Sequence, residues 1–258
     1  MYSSLPQPTI FAHRGASAYA PENTLTAFEL ALHQGADAIE LDAKLTADGE
    51  VVVIHDPSID RTTSNSGRVK DFTMSDLRKM EVGSNFDAAF RGEKIPALDE
   101  VFAAFGQLTF INVELTNYTS LTDELPEKVA SCVKDHKLEC RVLFSSFNPI
   151  ALKRIHLLIP EAPLGLLALP GAKGALARSW VGRIVPYVSL HPNLKDVSLR
   201  LVERTHKKDF RVFVYTVNRK ENMKRMFRMN VDGIFTDDPI LARRVVRELD
   251  PIPRDLSV

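Results

Sequence analysis

Phe11-Ala12-His13-Arg14-Gly15 is followed by Pro21-Glu22-Asn23-Thr24, then by Ile39-Glu40-Leu41-Asp42, then by Ile54-His55-Asp56-Pro57. Three of these pieces are short apolar runs that close in a histidine, an arginine or an acid. Alternate residues of a β-strand share a face, so Glu40 and Asp42 point one way and Leu41 the other. Two carboxylates of one strand can thereby reach one ion.

Outward from this stretch, Thr9 to His13 reads as the first strand, and Asn23 as the N-cap of a helix with Leu25, Phe28, Ala31 and Leu32 on one side. Ala36 to Ala43 is the second strand, with Gly35 ending the helix before it. Asp48-Gly49 signals a hairpin turn; Val51 to Ile54 then pairs back on the second strand and extends it to His55. Residues 57–96 have few long apolar runs, turn residues from Thr62 to Gly67 and a short helix at Ser75 to Met80. They read as an insertion packed beside the scaffold, with Phe72, Leu77, Met80, Phe86 and Phe90 forming a satellite core in preference to an acyl-chain contact.

Beyond Pro96 the pattern is strand and helix in turn. A short helix through Phe105 precedes a strand from Leu108 to Leu115, a helix from Leu125 to His136 and a strand from Arg141 to Ser145. Pro149 opens a helix through Ile159, followed by a strand at Leu164 to Leu169, a weak helix at Ala172 to Ser179 and a strand at Ile184 to Leu190. Ser198 to His206 is a helix and Arg211 to Val217 a strand; Asn218 and Glu221 have capping-box spacing for the next helix. Asp232 to Phe235 is the last strand, and Asp238-Pro239 caps the last helix. Eight strands alternating with helices favour an α/β fold of the (β/α)8, or TIM-barrel, type over an open doubly wound sheet. The first strand is not followed by a G-x-G-x-x-G fingerprint. The 258 residues are expected to form a single barrel domain, with the insertion after its second strand.

Composition narrows the function classes. The 33 Lys and Arg balance the 33 Asp and Glu, so no global field gathers nucleic acid or an anionic membrane, and any phosphate recognition is local. Cys132 and Cys140 have no metal-type or framework spacing and read as thiols of a reduced, cytoplasmic protein. No secretory signal or spanning segment is expected: the bland stretch from Ala162 to Ala172 is broken by Pro163 and Pro170 and falls short of the ~20 apolar residues a spanning helix needs.

In a barrel of this type the reactive groups stand at the C-terminal ends of the strands, and polar residues recur there. Glu40, Asp42 and Glu114 would bring three negative charges into one mouth, where like charges are relieved by a raised pKa or by a cation. An all-oxygen set selects a hard divalent cation, Mg²⁺ or Ca²⁺, over Zn²⁺. The competing reading pairs these acids with Arg or Lys; the shared strand face and the third acid at a matching strand end favour the ion. His13 and His55 end strands around this acidic mouth and suit general acid and base catalysis, although single histidines are more often structural. Arg14 has the fork geometry for a phosphate, or else a salt bridge to Glu22 or Glu40. A hard ion, an arginine and two imidazoles together describe chemistry at a phosphoryl ester.

The ordered set of His13-Arg14-Gly15, Pro21-Glu22-Asn23-Thr24, Glu40-x-Asp42, His55-Asp56, Asn112-Val113-Glu114 and Thr236-Asp237 resembles the glycerophosphodiester phosphodiesterase family. The resemblance implies a (β/α)8 barrel with a small insertion, and metal-dependent hydrolysis of glycerophosphodiesters to sn-glycerol 3-phosphate and an alcohol. It implies His13 and His55 as the acid/base pair, Glu40, Asp42 and Glu114 as metal ligands, and Arg14 as the phosphate contact. It also implies that the glycerol hydroxyl next to phosphorus can attack and give a cyclic phosphate, which proximity makes reasonable.

Many members carry a lysine where this chain has Thr116, on the same strand face as Glu114, so a point charge is missing there; Lys44, beside Asp42, is the candidate substitute. Tyr215 stands where tryptophan is usual and keeps an aromatic face for a glycerol or choline-like group, or simply packs. His191 is a weaker candidate for lining the mouth. Ser145 and Ser146 lack nucleophile-elbow glycines, which argues against a serine hydrolase. The expected partner is a small glycerophosphodiester and not a nucleic acid. The alternatives are a lysophospholipase D-type enzyme and a low-turnover diester-binding barrel.

Overall fold

β1 (Thr9–His13) lies parallel to both β2 (Ala38–Leu45) and β9 (Gly233–Thr236), and that double pairing closes the sheet. A computed structural model describes residues 4–118, 120, 122–172, 174 and 185–249. Around the ring from β2 come β4 (Phe110–Leu115), β5 (Val142–Ser146), β6 (Leu164–Ala168), β7 (Ser189–Pro192) and β8 (Arg211–Val214), all parallel, back to β9. The result is the expected eight-stranded (β/α)8 barrel. β3 (Val51–Val53) stands outside the ring, antiparallel to β2, with Val53 opposite Ala43. The turn that returns it has Gly49 at φ +75°, a left-handed conformation that glycine adopts without steric cost.

The helices are α1 (Leu25–His33), α2 (Met74–Leu77), α3 (Leu98–Phe105), α4 (Leu125–Asp135), α5 (Pro149–Leu158), α6 (Leu199–His206), α7 (Lys220–Arg228) and α8 (Pro239–Leu249). Asn148 caps α5 by accepting from the N–H groups of Ile150 and Ala151, and Ser198 caps α6. Helix α1 is capped by Thr24, whose hydroxyl accepts from Ala27 N, and not by Asn23 as expected. Nor does Asn218 cap α7, which has no side-chain cap. Both asparagines are drawn into the barrel mouth instead. Strand β7 begins at Ser189, later than the expected Ile184 (itself outside the described residues), because Pro186 has no N–H to give to a ladder and Tyr187 N turns to Val185 O. The helix expected at Ala172 to Ser179 falls largely outside the described residues.

Strand alternation sorts the core into two layers. Outward-facing Ile39, Leu41, Ala43, Ile111, Val113, Leu115, Val142 and Phe144 pack under α1, α3, α4 and α5, while Ile10, Val212, Val214 and Ile234 pack under α6, α7 and α8. The inward-facing residues Phe11, Ala38, Phe110, Leu143, Phe213 and Phe235 close the barrel floor, with Phe11 stacked on Phe235 at 4.7 Å and edge-on to Phe213 at 5.0 Å. Two residues further along the same strands come His13, Glu40, Asn112, Ser145, Tyr215 and Asp237. An apolar floor thus carries a polar storey, and the direction of every strand places that storey at one end.

The insertion packs through Ile59, Val69, Met74, Leu77, Val82 and Ile95, with Phe72 and Met80 against them. Phe86 and Phe90 sit outside this cluster, edge to face at 5.6 Å, and Phe86 is exposed. No helix among the described residues is long and apolar enough to cross a membrane.

Candidate active site

Strand register decides which side chains meet. His13 is the partner of Glu40 across β1 and β2; Glu40 and Asp42 are partners of Asn112 and Glu114 across β2 and β4; Glu114 is the partner of Ser145. All of them face inward, and Glu40, Asp42 and Glu114 each bring a carboxylate oxygen within 4.8 Å of the other two. The β2–β3 hairpin then folds His55 back over the same mouth, fastened by Ile54 N donating to Asp42 O at 3.0 Å.

The three acids differ in their surroundings. Asp42 is fully buried; its Oδ2 accepts from Asn23 Nδ2 at 2.9 Å and lies 3.2 Å from Arg14 Nε. Burial alone would raise its pKa, but Arg14, His55, Asn23 and His13 hold it below the ordinary value. Glu40 is equally buried, and burial together with Asp42 and Glu114 pushes its carboxyl well above the ordinary range. One of its oxygens accepts the Arg14 backbone N–H at 2.9 Å, and the other, Oε1, is buried with no hydrogen-bond partner. Glu114 accepts from the Tyr118 hydroxyl, and burial and the Asp42 charge raise its pKa to about 8. Among the described residues neither Glu40 nor Glu114 forms an ion pair. The reading in which Arg or Lys neutralises all three therefore holds only for Asp42. Oxygen donors alone, an orphaned buried oxygen and two acids short of compensating charge fit a hard divalent cation.

Each histidine is anchored through Nδ1. His13 Nδ1 lies 2.6 Å from Asp237 Oδ1, and Asp237 is held in turn by Asn218, whose Nδ2 donates to Oδ2 at 2.5 Å and whose Oδ1 accepts from the Asp237 N–H at 2.9 Å. His55 Nδ1 lies 2.7 Å from Asp56 Oδ1, with Arg61 Nε donating to the other Asp56 oxygen at 2.6 Å. Such a carboxylate fixes the tautomer and leaves Nε2 as the working nitrogen. Both rings line a cavity of about 220 Å³ together with Arg14, Glu40, Asn112 and Glu114 on one side and Phe147, Leu167, Tyr215 and Phe235 on the other.

Arg14 reaches this cavity with its guanidinium already oriented: Nη1 donates to Glu22 Oε1 at 3.0 Å, and Arg61 grips Glu22 with both terminal nitrogens at 2.7 Å. The insertion is thereby tied to the loop after β1. Arg14 has φ +57° and Gly15 φ +84°, and a Cβ on Gly15 would lie 2.6 Å from the Ala27 carbonyl carbon. Only glycine fits there. Gly15→Ala is expected to destabilise the protein by about 1–3 kcal/mol and to displace Arg14, which urea unfolding and the activity of the residual folded fraction would register.

The remaining candidates divide. Lys44 Nζ donates to Thr116 Oγ1 at 2.6 Å, and Thr116 donates to Ala43 O at 2.7 Å, so the ammonium stands on the strand beside Glu114. Burial lowers its pKa, against the pull of Asp42 and Glu114. Tyr215 lines the cavity, its hydroxyl donating to Ala168 O at 2.8 Å. His191, expected to line the mouth, has no exposed surface: it fills the space beside Gly165 and packs on Phe213 and Phe235. Burial holds this imidazole neutral by lowering its pKa to about 3. It is part of the barrel interior and is removed from the set of substrate contacts.

Several contributors carry no role in the sequence reading. Asp56 and Asp237 stand inside quoted motifs, and the adjacency of His55 and Asp56 is a signal that identifies the first. Asn23 reads from the sequence as a helix cap. Arg61, Tyr118 and Phe147 lie on loops where no periodicity announces them; Phe147 meets Tyr118 and Tyr215 edge to face at 5.5 and 6.0 Å.

Residues 13–241 match the family described as Glycerophosphoryl diester phosphodiesterase. A glycerophosphodiester phosphodiesterase of Caldanaerobacter subterraneus subsp. tengcongensis is 42% identical over 242 residues, covering 93% of this chain and 98% of the relative. One from Bacillus altitudinis is 37% identical over 93% of this chain and 98% of its own. Among solved structures, an Oleispira antarctica phosphodiesterase in complex with the product sn-glycerol-3-phosphate superposes with a TM-score of 0.85 at 29% identity, covering 95% of this chain and 98% of that one. An Agrobacterium tumefaciens glycerophosphodiester phosphodiesterase gives 0.79 at 29% identity, with 92% and 99% coverage.

Proposed function

Because the chain belongs to the glycerophosphoryl diester phosphodiesterase family and is an enzyme of that kind, we propose that its barrel mouth hydrolyses small glycerophosphodiesters to sn-glycerol 3-phosphate and an alcohol. In this reading Glu40, Asp42 and Glu114 hold one divalent cation, Mg²⁺ or Ca²⁺, and His13 and His55 move the protons. The observation that carries it is the meeting of three carboxylates, one with an orphaned buried oxygen, at a cavity lined by two of them and by two histidines anchored through Nδ1. The sn-glycerol-3-phosphate of the Oleispira antarctica complex supports the product.

When bound, the ion would stabilise negative charge growing on the phosphoryl oxygens. Arg14, pre-aimed by Glu22, adds a fixed charge on the cavity wall, and Lys44, on its Thr116 seat behind the cavity lining, adds a positive charge beside Glu114. One imidazole Nε2 takes the proton of the attacking hydroxyl, and the other gives a proton to the departing alkoxide. Asp237 and Asp56 hold the two rings for that exchange and stabilise each imidazolium as it forms. The attacking hydroxyl is either water or the neighbouring glycerol hydroxyl. A 2-deoxy analogue of the glycerol moiety separates the two, because it is turned over only if water attacks directly.

The two free thiols suit a reducing compartment, and a cytoplasmic place of action belongs to the same reading. Chelator-stripped protein is expected to release no glycerol 3-phosphate from glycerophosphocholine until Mg²⁺ or Ca²⁺ is restored; full turnover in chelator rejects the reading. Faster turnover of lysophosphatidylcholine in the same assay would instead select the lipid-directed alternative. Lys44→Met is expected to lower kcat/KM by roughly 10–100-fold, mainly through KM, as measured on the metal-loaded enzyme.

A further inference from the structure

A second group of possible ligands lies far from the mouth, on the outer helical layer. Cys132 and His136 are spaced i, i+4 at the end of α4, so they stand on one face a single turn apart. Asp99, in the first turn of α3, faces them from the neighbouring helix. One ligand atom from each of the three lies within 4.8 Å of the other two, and His136 Nε2 is 2.7 Å from Asp99 Oδ1. Nothing in the catalytic reading uses these residues.

We propose that Asp99, Cys132 and His136 form a surface site for a borderline-soft divalent cation of the Zn²⁺ or Co²⁺ type, distinct from the hard-cation site in the barrel. The donor chemistry separates the two sites: sulfur and imidazole nitrogen select Zn²⁺ or Co²⁺, whereas the mouth offers oxygen only. Three protein ligands leave a coordination position for water. His136 and Asp99 already converge on a shared proton, and the ion would take that proton's place between Nε2 and the carboxylate. The Cys132 thiol gives up its proton to solvent as the sulfur–metal bond forms, so binding releases protons and tightens as pH rises. Ring packing of His136 on Phe102 at 5.9 Å keeps the imidazole in place. Occupancy would clamp α3 to α4 on the outside of the barrel.

The test is titration of the full-length, chelator-stripped protein with Co²⁺, read by thiolate-to-cobalt charge-transfer absorption in the near ultraviolet, which oxygen ligands do not produce. One equivalent is expected to develop the band in wild type and in Cys140→Ser, and none in Cys132→Ser. Asp99→Asn keeps the shape of a side chain that is largely exposed to solvent. It is expected to weaken Co²⁺ binding by at least about tenfold, the lower end of what even an outer-sphere partner costs. Glu40→Gln in the barrel should leave the band unaltered, which keeps this result independent of the proposed catalysis. Absence of the band in wild type, its persistence in Cys132→Ser, or unchanged affinity in Asp99→Asn would overturn the site.

Discussion

Replacing either His13 or His55 by alanine is expected to lower kcat for glycerophosphocholine by about 10²–10⁴-fold, the usual worth of a positioned acid or base. Neither change should unfold the protein. His13 is only partly buried, and Asp237 keeps both of its hydrogen bonds with Asn218, one accepted and one donated, when the ring is gone; His55 is more exposed still, and Asp56 keeps Arg61. A second substrate then separates the roles. A glycerophosphodiester whose leaving group is p-nitrophenolate departs without help from an acid, so the variant lacking the general acid recovers most of its rate on it, while the variant lacking the base stays slow. The double variant should be far from additive, because the two rings serve one proton transfer sequence. A loss below tenfold in both single variants, with thermal unfolding unchanged, would end the assignment of these histidines.

How far the sequence carries depends on whether a feature is local to one strand. Glu40 and Asp42 are legible because period-two alternation puts both on the inner face whatever the rest of the chain does, and the eight-stranded ring follows from repeated strand–helix alternation. Register across strands is a different matter. That Lys44 seats on Thr116 depends on β2 and β4 being neighbours in this alignment, which no window of sequence contains.

Misreadings have the same origin. Asn23 and Asn218 have good capping chemistry, yet Asn23 serves Asp42 and Asn218 serves Asp237, since a buried or half-buried carboxylate competes strongly for a carboxamide donor. His191 follows an apolar run, which in the sequence points to the mouth. The strand in fact runs on past Leu190 to Pro192, so His191 lies within it and not beyond its end, and the imidazole packs in the interior against Gly165. Arg61 reaches Glu22 and Asp56 from the insertion, a tertiary contact with no periodic signal.

Glu114→Gln is expected to abolish divalent-ion dependence and activity together while making the metal-free protein more stable near pH 8. In the folded chain Glu114 has its pKa raised to about 8 from 4.5, chiefly by burial and by the Asp42 charge. Between those two values the native state holds a proton that the unfolded state has lost. Stability of the metal-free wild type therefore falls as pH rises through this window, and the full penalty is present above the folded pKa. Glu40 acts in the same direction. His191 opposes it only below its ordinary value of 6.5, where its buried neutral form loses stability on acidification, and that contribution is common to wild type and variant. Glutamine carries no charge at any pH, so the Glu114→Gln protein loses this part of the slope and should exceed metal-free wild type at pH 8 by an amount on the order of a few kcal/mol. In wild type, Mg²⁺ bound by these carboxylates would have to displace the proton, so its apparent affinity is expected to fall as pH drops below about 8, and its binding to raise Tm by mass action. In the variant Mg²⁺ should leave Tm unchanged. Denaturant curves at pH 5, 6.5 and 8, with and without Mg²⁺, measure all of this. An equal Mg²⁺ stabilisation of both proteins would show that the ion's ligands lie elsewhere, and the meeting of Glu40 and Glu114, neither with an ion-pair partner among the described residues, would then need another explanation.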